Sequence, residues 1–155
     1  MRIRLLAVGT RMPGWVNEGV EEYRKRLPRD FALEIEEIAP GQRGKNADTA
    51  RAVALEAKRI RERLRGDEFV VALEVGGRAW STERLAQEAE SWRREGREVV
   101  LLVGGPDGLA PELSAAADRR WSLSPLTLPH PLVRVILAEQ LYRAWTLLVG
   151  HPYHR

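Results

Sequence analysis

A chain of 155 residues without a single cysteine cannot hold disulfides or thiolate metal sites, and it is long enough to bury a core without such staples. One domain spanning residues 1–155 is the expectation from length. The formal charge is only +3, but the positive residues are clustered. Between Gly41 and Arg65 they are Arg43, Lys45, Arg51, Lys58, Arg59, Arg61, Arg63 and Arg65, against Asp48, Glu56 and Glu62. From Arg119 onward arginines 119, 120, 134, 143 and 155 face Glu139 alone. Two basic surfaces point to a polyanionic partner, RNA or DNA. An ordinary solvated helix face also accounts for the first of them.

Ile3 to Val8 is a short apolar run that reads as a buried strand; it is too short for a signal-peptide core. Pro13 to Leu27 fits a helix, with Trp15, Val16, Gly19, Val20, Tyr23 and Leu27 on its apolar face. Phe31, Leu33, Ile35 and Glu37 alternate with polar neighbours, as in a strand. A Pro/Gly loop follows, and Asn46 or Asp48 caps a helix running to Leu64 or Arg65, with Gly66 at its C-terminal end. The apolar face of that helix is Ala50, Val53, Ala54, Ala57, Ile60 and Leu64.

Glu68 to Val75 is the third strand, ended by a turn at Gly76-Gly77. Ser81 or Thr82 caps the next helix and Gly96 closes it. Val99 to Val103 is the most apolar strand and is therefore expected at the centre of the sheet. A short helix starts at Pro111, and Trp121 to Ser124 forms a fifth strand. Leu132 to Val149 is the one long apolar segment; Arg134, Glu139 and Arg143 within it argue for a buried helix and against a membrane span. Strands and helices alternate throughout, which predicts an α/β fold: a mainly parallel sheet with helices on both faces. Ligands of such sheets bind beyond the carboxyl ends of the strands, here after Leu73, Val103 and Ser124.

Four stretches carry chemistry. Gly104-Gly-Pro-Asp-Gly108 directly follows a buried strand and is either a ligand loop or a tight turn. Leu123-Ser-Pro-Leu-Thr-Leu-Pro-His-Pro131 is an apolar loop without a regular period. Its main chain needs partners, which a flat heterocycle such as adenine or a purely internal set of bonds would supply. The final helix is apolar on nearly every side, as expected for one that is central or shared with a partner subunit. Glu139 and Arg143, four apart within it, form either a structural pair or a catalytic one. The tail, His151-Pro-Tyr-His-Arg155, is dense in aromatic and basic groups that suit RNA bases and phosphates. Three histidines without a carboxylate cluster make a poor metal site, so no metal is expected.

The motifs GGPDG, SLSPLTLPHPLVRVILAEQLYRAW and HPYHR resemble the RlmH (YbeA-like) family of bacterial methyltransferases in the SPOUT superfamily. AVGTRMPGWVNEGVEEYRKRLP and RGKNAD extend the likeness over the whole chain, with Pro125 standing where a small or variable residue is expected. The resemblance implies a SPOUT-type fold with a C-terminal trefoil knot, which topology rules alone would not suggest. It implies S-adenosylmethionine bound by Leu73, Gly104 and the run Leu123, Ser124, Pro125, Leu126, Thr127 and Leu128. It also implies a homodimer, with the site near the subunit boundary, acting on a ribosomal large-subunit (23S) pseudouridine at N3; a cytoplasmic location is the expectation from the absence of cysteines. Candidate proton acceptors are His154, His130 and Glu139; Tyr153 would stack on the target base, and Arg143 or Arg155 would hold RNA. Arg59, Arg61, Arg63 and the Arg43–Lys45 loop would form the RNA approach. A non-catalytic ribosome-binding or assembly factor, or a methyltransferase acting on another RNA such as tRNA, fits the same residues.

Overall fold

The computed structural model describes residues 1–44 and 48–154. The elements follow as β1 (Arg2–Val8), α1 (Gly14–Arg24), a 3-10 turn (Arg29–Phe31), β2 (Ala32–Ile38), α2 (Thr49–Arg61) and β3 (Phe69–Ala79). Then come α3 (Thr82–Glu95), β4 (Val99–Val103), α4 (Pro111–Ala116), β5 (Arg119–Ser122), α5 (His130–Val149) and a closing 3-10 turn (Pro152–His154). The strands form a sheet in the order β2-β1-β4-β3-β5, and every pairing is parallel.

Period-two alternation sorts the sheet residues onto its two faces. Ile3, Leu5, Ala7, Leu101 and Val103 pack with Val16 and Val20 of α1, Leu85, Ala89 and Trp92 of α3, and Leu137, Leu141 and Ala144 of α5. Leu6, Val8, Val100 and Leu102 face Ala57 and Ile60 of α2 and Leu113 of α4. β4 lies mid-sheet with all of its residues buried, as its unbroken apolar run predicts. Each such side chain contributes roughly 1.5–3 kcal/mol of hydrophobic stabilisation.

The helix ends follow their capping chemistry. Asp48 accepts the amide N–H of Ala50 at the start of α2, and Ser81 accepts that of Arg84 at the start of α3. The alternative cap, Asn46, lies outside the described residues, as does Lys45. α2 ends earlier than expected, at Arg61: the amides of Arg63 and Leu64 turn to the carbonyls three residues back, and Gly66 N–H donates to the Glu68 carboxylate. The buried side of α2 is also rotated from the alanine stripe. Ala50 and Ala54 are exposed, while Ala52, Glu56, Ala57 and Ile60 are buried.

Two strand boundaries differ from the sequence reading. β3 does not stop at Gly76-Gly77. It bulges out after Leu73 and returns, so that both Leu73 and Arg78 oppose Trp121 of β5. A Cβ on Gly77 would lie 2.8 Å from the backbone of Arg120 and Trp121, so the glycine permits the close return and does not mark a turn. β5 spans Arg119–Ser122, earlier than Trp121 to Ser124, because its pairing with β3 begins at Val71 opposite Arg119.

At the amino ends of the strands a charged cluster fastens the sheet. Arg4, 5% exposed, donates to the carboxylates of Glu36 and Glu68 and to the carbonyl of Arg63. Glu98 lies 3.3 Å from the same guanidinium. Glu68 in turn accepts the amides of Arg65 and Gly66. Burial pushes the Glu68 carboxyl up, but those amides and Arg4 prevail and hold it below the usual carboxylate range.

Candidate functional site

The opposite end of the sheet holds a cavity of about 900 Å³. Its walls come from the carboxyl ends of β1 and β4, the loops after β2 and β5, and the bulge of β3 after Leu73. Apolar side chains dominate them: Val8, Leu73, Val75, Val103, Leu123, Leu126, Leu128 and Val133. Thr10, Glu74, Ser124 and Thr127 supply polar groups.

Most of the residues expected to hold a ligand meet here. Leu73, Gly104, Leu123, Ser124, Leu126, Thr127 and Leu128 all line the cavity, as does His130. Pro125 shares the loop but does not line the cavity. The loop is locally braced: Ser122 Oγ donates to the Ser124 carbonyl and Ser124 Oγ accepts the Leu126 amide, which turns the chain at Pro125. Leu126 stands 72% exposed at the mouth. Gly104 has no substitute, because a Cβ there would lie 2.4 Å from the Gly108 carbonyl carbon.

Two further loops line the cavity: Gly9, Thr10 and Met12 after β1, which the sequence reading did not single out, and Pro40, Gly41 and Arg43 after β2, which it assigned to the RNA approach and not to the cofactor. Both follow strand ends of a parallel sheet, so the positional rule already applied to them. The second loop is clamped. Buried Glu56 of α2 accepts the Gly41 amide at 2.8 Å and the Arg43 guanidinium at 2.5 and 3.0 Å. Arg43 Nε reaches across to Asp107 at 2.7 Å. Glu56 first and then Asp107 raise the Arg43 guanidinium above its usual value, so it stays charged.

His130 and Arg134, one turn apart on α5, form the inner wall. Arg134 Nε donates to His130 Nε2 at 2.9 Å, Nη1 to Glu37 at 2.8 Å and Nη2 to the Gly9 carbonyl at 2.9 Å. His130 Nδ1 faces the Gly104 carbonyl at 3.4 Å. Burial, and then the Arg134 charge, lower the His130 pKa.

The remaining catalytic candidates lie elsewhere within one chain. Glu139 and Arg143 are nine and thirteen residues beyond His130, about 14 and 20 Å along the helix axis. There Glu139 accepts Arg143 Nε at 2.8 Å, Gln140 Nε2 at 2.8 Å and the Tyr153 hydroxyl at 3.2 Å. The Arg143 guanidinium lies over the Tyr153 ring at 5.0 Å, and Tyr142 packs against that ring at 4.5 Å. Burial, then Glu139, pushes the Tyr153 hydroxyl up to about 12. His154 follows in the same turn, and Arg155 lies outside the described residues.

Arg59 and Arg61 of α2 and Arg63 just beyond it make surface contacts within the chain. Arg59 donates to the carbonyls of Ala39 and Pro40, Arg61 to Glu112 and Arg63 to Glu36. Among the described residues no group of three or more His, Asp or Glu side chains could hold a metal ion, and no helix is long and apolar enough to cross a membrane.

A family model described as "Predicted SPOUT methyltransferase" matches residues 1–154. The chain belongs to this SPOUT methyltransferase family. It is 67% identical, over the full length of both chains, to the ribosomal RNA large subunit methyltransferase H of Chromohalobacter salexigens. This SPOUT methyltransferase also shares its fold with a probable methyltransferase from Bordetella pertussis, at TM-score 0.58 and 18% identity, covering 92% of this chain and 95% of that one. An AdoMet-bound rRNA methyltransferase from Sinorhizobium meliloti matches at TM-score 0.51 and 18% identity, over 92% of this chain and 55% of that one.

Proposed function

We propose that this SPOUT chain is a single-domain, S-adenosylmethionine-dependent methyltransferase that modifies N3 of a pseudouridine in large-subunit ribosomal RNA. The observation that carries this is full-length, 67% identity to a protein named for large-subunit ribosomal RNA methylation. The cavity fits the donor in size and kind. Leu and Val side chains form a slot for a purine, the irregular backbone at Gly104 and from Leu123 to Leu128 offers main-chain donors and acceptors, and Glu74 and Thr10 suit hydroxyl and amino groups. When bound, the donor supplies a methyl group on a sulfonium; the nitrogen–carbon bond forms as the carbon–sulfur bond breaks, and the imide proton leaves.

The chain's own residues then orient the base and receive that proton. Tyr153 keeps its proton at neutral pH and donates to Glu139. Its ring, braced by Tyr142 and Arg143, is a platform for a base. Glu139 already accepts three donors, so its oxygens are engaged within the chain. His154 is the acceptor this reading favours.

The spacing along α5 supports a homodimer in which one protomer's tail meets its partner's cavity. Trp15 of α1 and Leu132 and Val149 of α5 are exposed apolar residues, at 55%, 37% and 50%, that such an interface would cover. The C-terminal trefoil knot, association with the ribosome and a cytoplasmic site of action belong to the same proposal. The test is labelled methyl transfer to ribosomes lacking the modification, with the modified nucleotide mapped. Methyl incorporation at one large-subunit pseudouridine is expected. Binding of ribosomes without any transfer would refute the enzyme assignment, and transfer to tRNA alone would refute the substrate. Tyr153→Ala should abolish transfer while leaving S-adenosylhomocysteine binding intact.

A further inference from the structure

We infer that His130 is a positioning residue, a neutral strut that holds the Gly104 carbonyl in place at the cavity wall, and is not the proton acceptor. The inference deepens the proposed function, because it assigns a role within the cavity where the methyl donor would bind.

Arg134 is 3% exposed and each of its three bonds is committed: Glu37 on β2, the Gly9 carbonyl after β1, and His130 Nε2. A guanidinium never loses its proton in a protein, so Arg134 Nε must donate and His130 Nε2 must accept. The imidazole proton therefore sits on Nδ1, where the Gly104 carbonyl faces it at 3.4 Å. Taking up a second proton would set two N–H donors against each other across the 2.9 Å contact with Arg134. The lone pair a base would need is thus already used. Glu37, the carboxylate across Arg134, neutralises the guanidinium instead of the ring.

The same chain of bonds explains why a histidine stands at the first turn of α5. The loop from Gly104 to Gly108 is fastened on its far side by Asp107 to Arg43, and on its near side by His130. Gly9 is packed into the same corner, where a Cβ would lie 3.6 Å from Arg134 Nη2 and 3.7 Å from His130 Nε2. The strut therefore ties the ends of β1, β2 and β4 to α5.

Nitrogen-15 NMR of the full-length, histidine-labelled protein at neutral pH reads the tautomer directly, with His130→Asn assigning the signal. The expected result is a protonated Nδ1 and a bare, hydrogen-bonded Nε2. A proton on Nε2, or a cationic ring, would overturn the inference. In parallel, S-adenosylhomocysteine affinity and methyl-transfer kinetics are measured for His130→Ala and His130→Asn. His130→Ala should weaken affinity by about tenfold, the scale of one lost hydrogen bond. His130→Asn, whose amide can still donate to Gly104, should recover most of it, and kcat at saturating donor should fall less than affinity in both. Wild-type affinity combined with a collapse of kcat in both variants would make His130 the base and refute the strut. If the wild-type chain bound no S-adenosylhomocysteine, the functional reading would fail, while the tautomer would still decide whether the strut exists.

Discussion

Glu56→Ala is the sharpest probe of how the cavity is held open. The side chain is 2% exposed and satisfies three donors: the Gly41 amide and both terminal nitrogens of Arg43. Removing one partner of a buried pair typically costs about 3–5 kcal/mol, because the other is left desolvated and unpaired. Here the lower end applies. The Arg43 side chain is 22% exposed and keeps Asp107, so water recovers part of the loss, and about 3 kcal/mol is expected. For a chain of this size that lowers the melting temperature by roughly 6–12 °C. Glu56→Gln keeps an acceptor for Gly41 and loses only the charge, so a loss nearer about 1 kcal/mol is expected. Urea titration followed by tryptophan fluorescence gives both values, and titration of S-adenosylhomocysteine reports the slackened wall. A Glu56→Ala loss below about 0.5 kcal/mol, the ordinary range of a surface substitution, would refute the clamp. Equal damage from Gln and Ala would show that charge, not the Gly41 contact, dominates.

Gly104→Ala should remove donor binding, because the new Cβ would meet backbone atoms at 2.4 to 2.7 Å that no rotamer change can relieve; calorimetry of the purified variant, alongside its circular dichroism, separates a closed site from a lost fold. Acid should also erode stability through His130. Its folded pKa lies below the ordinary 6.5, by burial first and Arg134 second, so the unfolded chain takes up a proton that the native chain refuses. That stability is present above 6.5 and lost as pH falls from there through the folded value; urea midpoints should therefore decline less steeply on acidification in His130→Asn than in wild type.

The fold was legible because each strand of the sheet interior is a plain apolar run and each helix has a recognisable end. Val99 to Val103 could only be central, and Ser81 and Gly96 bracket α3 as their capping chemistry requires. The errors fell where tertiary contact overrides local preference. Gly76-Gly77 has the composition of a turn, yet Gly77 is small because β5 passes against it. Glu56 looked like a stray acid on a basic helix, while its period with Ala52 and Ile60 placed it on the buried side. The surface partners of Arg59, Arg61 and Arg63, which are two carbonyls, Glu112 and Glu36, lie far from them in sequence and are visible only in three dimensions. In the sequence Arg134 reads as a charge excluding a membrane span and as part of a basic surface, whereas it is 3% exposed and turned inward. Its links to Gly9 and Glu37 cross more than ninety residues of sequence, and no local pattern encodes them.

The charged cluster around Arg4 has a mechanical consequence. It pins β1 to β2 and, through Glu68, to the start of β3, at the end of the sheet away from the cavity. The strands thus behave as cantilevers, built into a wall at their amino ends and free at their carboxyl ends. Any adjustment to a guest must be taken up by the loops at the tips, since a strand cannot slide without uprooting a buried ion cluster. Amide exchange along β1 should then grade from slowest near Arg4 to fastest near Val8, and a bound guest should steepen protection only at the tip.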